Sequence, residues 1–194
     1  MTTVYLARHG QSDWNAAGRW QGHADRPLTE LGRRQAGELA RTLADVPLDA
    51  VYASDLRRAL ETAETVAAPR GLPVSALAEL REVDVGSWSG LTRAEAKERF
   101  PEGFRRWTDG SQGWEDGERY DRMAERVVAA VRRIATEHEG GSVLVVAHGG
   151  PIRALHAAAL GLEVSEHRRL RPVEPNARLS RLTVDDGKFA RAEA

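Results

Sequence analysis

Val4-Tyr5-Leu6-Ala7-Arg8-His9-Gly10-Gln11-Ser12 is the stretch on which the fold turns. Its apolar residues read as a buried strand. They run directly into an arginine, a histidine and a glycine. Gly10 is expected to let the chain turn sharply past the histidine. His9 would then stand where a strand of an α/β sheet ends, the edge at which such sheets keep ligand sites. A histidine that merely ends a strand would look the same, so the neighbouring segments have to decide.

Two later segments repeat the pattern. Val143-Leu144-Val145-Val146-Ala147 is the clearest buried strand of the chain, and it runs into His148-Gly149-Gly150. Ala50-Val51-Tyr52-Ala53 leads into Ser54-Asp55-Leu56-Arg57-Arg58. Between the strands lie helical patterns. Thr29 is a plausible N-cap for a helix to about Ala44. Ser54 or Asp55 is expected to cap a helix that buries Leu56, Ala59, Leu60, Ala63 and Val66. Pro73 to Leu77 reads as a short strand and Leu80 to Gly86 as a loop holding Glu82. A long helix carries Tyr120, Met123, Val127, Val131 and Ile134, and Gly140-Gly141 stops it. Pro151 is expected to open another helix that ends near Gly161. Asp186-Gly187 predicts a tight hairpin turn between two final strands.

This order predicts an α/β fold, three-layered α/β/α, with a mainly parallel central sheet and an antiparallel C-terminal hairpin. A single domain over 1–194 is expected, with a lid-like insertion around 88–120. Thr92-Arg93-Ala94-Glu95 marks a short helix inside that insertion. Phe104, Trp107 and Trp114 follow with little periodicity, and 163–176 reads as irregular.

Composition narrows the function. The chain has 194 residues and a net charge of −1, so no global field draws it to nucleic acid or to a membrane surface. It contains no cysteine, which excludes disulfides, thiolate catalysis and cysteine-containing zinc sites. The absence of a signal-like or membrane-spanning apolar run leads to an expected cytoplasmic location. Of the 28 lysines and arginines, all but Lys97 and Lys188 are arginine, a bias that a GC-rich genome would also produce. Gly86-Ser87-Trp88-Ser89-Gly90 is no nucleophile elbow, because its central residue is tryptophan.

In a parallel sheet the strand C-termini share one rim. His9, His148 and the arginines near them would converge there, beside free backbone N–H groups of helix starts. Such a rim suits phosphate. A neutral imidazole can attack phosphorus and split one displacement into two. Arg8, Arg58 and His148 would hold the oxygens that gain charge. Glu82 is the best-placed carboxyl to protonate the leaving group and then to activate water. Each residue also has a structural reading: Arg57 and Arg58 as a solvated helix face, Glu82 in a loop salt bridge, His148 as a core histidine.

Arg8-His9-Gly10-Gln11-Ser12-x-x-Asn15, Gln21-Gly22 and Asp25-x-Pro27-Leu28-Thr29-x-x-Gly32 resemble the signature of the histidine phosphatase (phosphoglycerate mutase-like) superfamily. Ser54-x-Leu56-x-Arg58-Ala59-x-x-Thr62-Ala63, Leu80-x-Glu82-x-x-x-Gly86-x-Trp88-x-Gly90, Gly117-Glu118 and Val146-Ala147-His148-Gly149-Gly150 are similar to its later motifs, in the same order. The resemblance implies His9 as the phosphorylated nucleophile and Glu82 as the proton donor. It implies a phosphate pocket of Arg8, Arg58 and His148, lined by Asn15, Gln21, Gly22 and Gly149. It implies no metal and no cofactor, and a small phosphomonoester as the partner. His23 reads as an exposed loop residue.

The superfamily holds phosphatases and cofactor-dependent phosphoglycerate mutases. The mutases are longer, and a C-terminal tail covers their site. The residues after Glu82 also differ from theirs. Both departures favour a phosphatase, closest in pattern to the short bacterial broad-specificity enzymes; alpha-ribazole and glucosyl-3-phosphoglycerate phosphatases share that group. A mutase, or a phosphate-binding protein without turnover, is the alternative. Specificity is expected from 100–120, with Arg105, Arg106, Trp107, Trp114 and Arg119 available. The final hairpin offers an edge for a possible homodimer.

Overall fold

The computed structural model describes residues 1–191. In chain order the elements are β1 (Thr2–Arg8), α1 (Asp13–Ala16), α2 (Glu30–Thr42), β2 (Ala50–Ser54), α3 (Arg57–Ala67) and β3 (Val74–Leu77). There follow α4 (Arg93–Arg99), α5 (Pro101–Thr108), α6 (Tyr120–Glu137), β4 (Ser142–Ala147), α7 (Gly149–Leu160) and α8 (Val164–Leu170). The hairpin strands β5 (Leu179–Asp185) and β6 (Lys188–Arg191) complete the order.

The six strands form one sheet in the order β3-β2-β4-β1-β5-β6. The pairs β3–β2, β2–β4 and β4–β1 are parallel, and β1–β5 and β5–β6 are antiparallel. The chain passes from β1 to β2 and later fills the gap between them with β4. That late insertion matters for function. It puts the C-termini of β1 and β4 side by side, with Arg8 opposite Ala147.

Alternation along the strands sorts side chains onto two faces. Val4, Leu6, Val143 and Val145 pack with Met123, Val127, Val131 and Ile134 of α6 and Leu155 of α7. Ala7, Val51, Ala53, Leu144 and Val146 meet Leu39 and Leu43 near the end of α2 and Ala59, Ala63 and Val66 of α3. β4 is buried on both faces, as its unbroken apolar run requires. Thr29 caps α2 by accepting from Gly32 N–H at 3.0 Å. Thr92 and Glu95 form the expected capping box.

Several sequence readings are corrected. The N-cap of α3 is Leu56, without a side-chain cap. Asp55 instead takes both prongs of Arg81, at 2.5 and 2.7 Å, so the carboxylate is spent across the loop. Pro101 opens a regular helix over 101–108, and 164–170 is helical although 163–176 reads as irregular. α7 starts at Gly149 rather than at Pro151, with His148 as its N-cap. Gly10 is needed for close approach instead of a left-handed turn: a Cβ there would strike the Gly32 carbonyl. Asp186 and Gly187 do take positive φ, 45° and 71°, as the hairpin turn demands.

Candidate active site

Strand register builds the centre. His9 N–H donates to the Ala147 carbonyl at 3.0 Å, continuing the β1–β4 ladder past the end of β1. The two imidazoles therefore meet across neighbouring strand ends, with ring centroids 5.0 Å apart. His9 is 2% exposed and His148 and Arg58 are 0% exposed.

The hydrogen bonds fix opposite tautomers. His9 Nδ1 lies 2.7 Å from the Gly10 carbonyl, which can only accept, so Nδ1 carries the proton and Nε2 keeps a bare lone pair. His148 Nδ1 lies 3.2 Å from Arg58 Nε, which can only donate, so Nδ1 is the acceptor and Nε2 carries the proton. That Nε2–H is buried and has no partner among the described residues. Burial, then the Arg58 and Arg8 charges, hold the His9 pKa well below the ordinary value. Burial and Arg58 do the same to His148, with further contributions from His9 and Arg8. Both rings are neutral at pH 7.

Arg58 is anchored by its other nitrogens, which donate to the carbonyls of Ala24 at 2.7 Å and Gly22 at 2.9 Å. Its neighbour Arg57 is exposed and pairs with Glu61, so one helical step separates a solvated arginine from a buried one. Arg8 donates to the Glu174 carbonyl at 2.6 Å and keeps a buried Nε without a partner among the described residues. Glu82 makes no salt bridge among the described residues. Its carboxylate accepts from Gly150 N–H in the first turn of α7 at 3.0 Å and from Val83 N–H at 3.0 Å. A Cβ built on Gly150 would strike Glu82 Oε1, so this glycine leaves the carboxylate its place, while one on Gly149 would strike Val173.

The outer residues are placed as follows. Asn15 and Gln21 line the cavity and are linked through Ser12, whose hydroxyl accepts from the Asn15 backbone N–H at 3.1 Å and donates to Gln21 Oε1 at 2.8 Å. Gly22 has φ +50° and offers its carbonyl to Arg58. His23 is half-buried rather than exposed, and its Nε2 donates to the Glu82 carbonyl at 2.9 Å.

Some functional neighbours escaped the sequence reading. Arg126 binds the carbonyls of Glu79, Arg81 and Glu82 within 2.9 Å and pairs with Glu118 at 2.7 Å. It is the brace of the Glu82 loop, and it gives the Gly117-Glu118 motif its purpose. Asn176 donates to the His9 carbonyl at 3.0 Å and to Asn15 Oδ1 at 3.2 Å. No periodicity marks either residue.

These groups open into a cavity of about 860 Å³. The expected specificity set from 100–120 is largely elsewhere. Trp107 lines the cavity, but Arg105 pairs with Glu102, Arg106 with Glu115, Arg119 with Asp121, and Trp114 is a core residue. Besides Arg8 and Arg58, the arginines that line the cavity are Arg19, Arg93, Arg153, Arg168, Arg169 and Arg171. Arg168 stacks over Trp107 and Tyr120 and donates to the carbonyls of Trp107 and Ser111, fastening α8 to the segment after α4.

The sequence profile of the histidine phosphatase superfamily (branch 1) matches residues 4–193. The chain belongs to that superfamily. Phosphoserine phosphatase 1 of Hydrogenobacter thermophilus is 36% identical over 168 residues, covering 86% of this chain and 80% of that protein. A metal-independent phosphoserine phosphatase of Arabidopsis thaliana is 40% identical over 162 residues, covering 80% and 68%. Among solved structures, Bacillus stearothermophilus YhfR superposes with a TM-score of 0.91 at 36% identity, covering 99% of this chain and 96% of that one. This histidine phosphatase hydrolyses phosphomonoesters by way of a phosphohistidine. No helix among its described residues is long and apolar enough to cross a membrane.

Proposed function

We propose that His9 is the nucleophile, Glu82 the acid and base, and Arg8, Arg58 and His148 the phosphate-holding groups, with Asn15, Gln21, Gly22 and Gly149 shaping the pocket. The observation that carries this assignment is the pair of opposite tautomers on adjacent strand ends. One ring presents a lone pair and the other an N–H, so one can attack phosphorus while the other donates to a phosphoryl oxygen.

In the first step His9 Nε2 forms a bond to phosphorus and the bond to the ester oxygen breaks. Glu82, in its acid form, gives that oxygen a proton, so an alcohol leaves. In the second step water attacks phosphorus and passes a proton to Glu82. The N–P bond breaks, inorganic phosphate departs, and both residues return to their starting state. Charge on the equatorial oxygens is met by Arg8, Arg58 and the His148 Nε2–H.

The substrates are proposed to be small organic phosphates, turned over by hydrolysis and not by mutase transfer. The chain is read as one domain, with 88–120 forming a lid over the cavity, and as cytoplasmic. The outer edge of β6 supports pairing into a homodimer. A turnover panel of phosphomonoesters tests the main reading, with 3-phosphoglycerate supplied with and without 2,3-bisphosphoglycerate. Phosphate release is expected to dominate. Isomerisation that outpaces release would overturn the choice of hydrolysis.

A further inference from the structure

His9 can attack only through an unprotonated Nε2, so whatever keeps the proton on Nδ1 is part of the reaction. That proton is held by the Gly10 carbonyl oxygen, at 2.7 Å. The carbonyl belongs to the peptide group that joins Gly10 to Gln11. A peptide group is a rigid plane, with its C=O and N–H pointing in opposite directions. Where the Gln11 N–H is anchored therefore decides where the Gly10 oxygen points.

The anchor is Gln35 of α2. Its Oε1 accepts from the Gln11 N–H at 2.8 Å. A backbone N–H can only donate, so the amide atom facing it is the oxygen, and the orientation of the side-chain amide is fixed. The helix favours this approach. Gly32 and Gln35 are three residues apart on α2, hence on one face. A Cβ on Gly32 would strike backbone atoms of Gln11, so the bare glycine lets the peptide lie against the helix. Helical side chains lean toward the N-terminus, which turns Gln35 back over the same spot.

The preceding peptide is secured by other residues. Gly10 N–H donates to Thr62 Oγ1 at 3.0 Å, and that hydroxyl donates to the Arg58 carbonyl at 2.7 Å. The His9 carbonyl accepts from Asn176. Among the described residues, Gln35 is the side chain that bonds the N–H of the plane whose oxygen meets the imidazole. The two bonds run in series, and a peptide whose N–H donates is a better acceptor at its oxygen. A neutral amide does this without a negative charge that would favour the protonated ring.

We propose that Gln35 is a positioning residue for the nucleophile, holding the Gly10–Gln11 peptide so that His9 keeps its proton on Nδ1 and its lone pair on Nε2. The inference rests on the reading of His9 as nucleophile and adds the device that sets its tautomer. Gln35 does not line the cavity, so its loss should change the chemical step and not substrate affinity.

The test uses the whole protein with Gln35→Met, which keeps the reach of the side chain and loses the amide acceptor, and Gln35→Glu, which keeps an acceptor. The substrate is p-nitrophenyl phosphate. In Gln35→Met the rate of phosphoenzyme formation should fall about tenfold, the weight of one hydrogen bond, with KM within about twofold of native. Gln35→Glu should recover most of that rate at about pH 8, where the ring stays neutral. Nitrogen-15 spectra of the histidine rings read the tautomer directly. Native His9 should carry its proton on Nδ1, and the Nε2–H form should grow in Gln35→Met. An unchanged tautomer or an unchanged rate in Gln35→Met would overturn the proposal, as would equal losses in the two variants. A native spectrum with the His9 proton on Nε2 would overturn it whichever variants fold. Trapping of the phosphoenzyme from native protein, and its loss in His9→Ala, reports on the nucleophile separately. A phosphoenzyme that forms at the native rate in Gln35→Met removes the role of Gln35 alone.

Discussion

Arg58 and His148 share one hydrogen bond, Nε to Nδ1 at 3.2 Å, and it determines which edge of the imidazole can give a proton. The same arginine holds the carbonyls of Gly22 and Ala24. A lysine keeps the charge but cannot make this fork. Arg58→Lys should therefore lower kcat/KM by about 100-fold or more. It should also destabilise the fold by about 2–4 kcal/mol, because buried acceptors lose their donor. Kinetics on p-nitrophenyl phosphate with a parallel thermal melt would check both, and activity within a few-fold of native would contradict the assignment.

His9→Ala should abolish turnover and remove the covalent phosphoenzyme trapped by acid quench from labelled substrate. Retained turnover would sink the nucleophile assignment. Substrate should still bind, since the arginines and His148 remain.

Glu82→Gln removes the acid and spares most of the geometry. Hydrolysis of alkyl phosphates should slow by about 100-fold or more, with a much smaller loss for p-nitrophenyl phosphate, whose leaving group needs little protonation. Equal losses would point to a binding role. Arg126→Met should show a weaker form of the same selectivity, about 10- to 100-fold on alkyl esters, because the Glu82 loop loses its brace. A uniform loss on both ester classes would speak against positioning.

The buried histidines also set a pH dependence. Burial pulls the folded pKa of His156 down to about 4, and those of His9 and His148 well below the usual value. The unfolded chain thus binds more protons between the depressed folded values and the ordinary value of about 6.5. Stability should be at its full value above about pH 6.5 and should fall as the pH drops below it. Thermal melts from pH 7.5 to 4.5 would show this, and His156→Gln should flatten the slope. Because the nucleophile stays neutral in the same range, kcat/KM should hold up below pH 6.5 for as long as the protein remains folded.

The parts of this molecule that were legible in its sequence are those where one physical demand dominates. Val143–Ala147 is buried on both faces, so its apolar run could be little else than a central strand. Arg8-His9-Gly10 and His148-Gly149 lay at strand ends that the parallel topology had to align. Arg57 and Arg58 could not be separated by type, since a hundred-degree step about the helix axis decides which is buried. α8 was obscured because its buried residues are only Val164 and His167, amid Glu166, Arg168 and Arg169. α5 was obscured because Gly103 packs against the Gly113 carbonyl, a contact that no periodicity announces. Gln35 was hidden among the polar residues of α2, and its bond to the Gln11 N–H exists only in three dimensions.

The stretch after α8 has a consequence for how the enzyme is made. The Glu174 carbonyl holds Arg8, Asn176 holds the His9 carbonyl, and β5 closes the flank of β1. All three come after the last residue assigned a chemical role. A chain synthesised only as far as Gly149 therefore possesses its whole catalytic alphabet while its nucleophile is still loose. Competence has to wait until residues 174–185 are made and packed against β1, so the nucleophile is set in place later than it is synthesised.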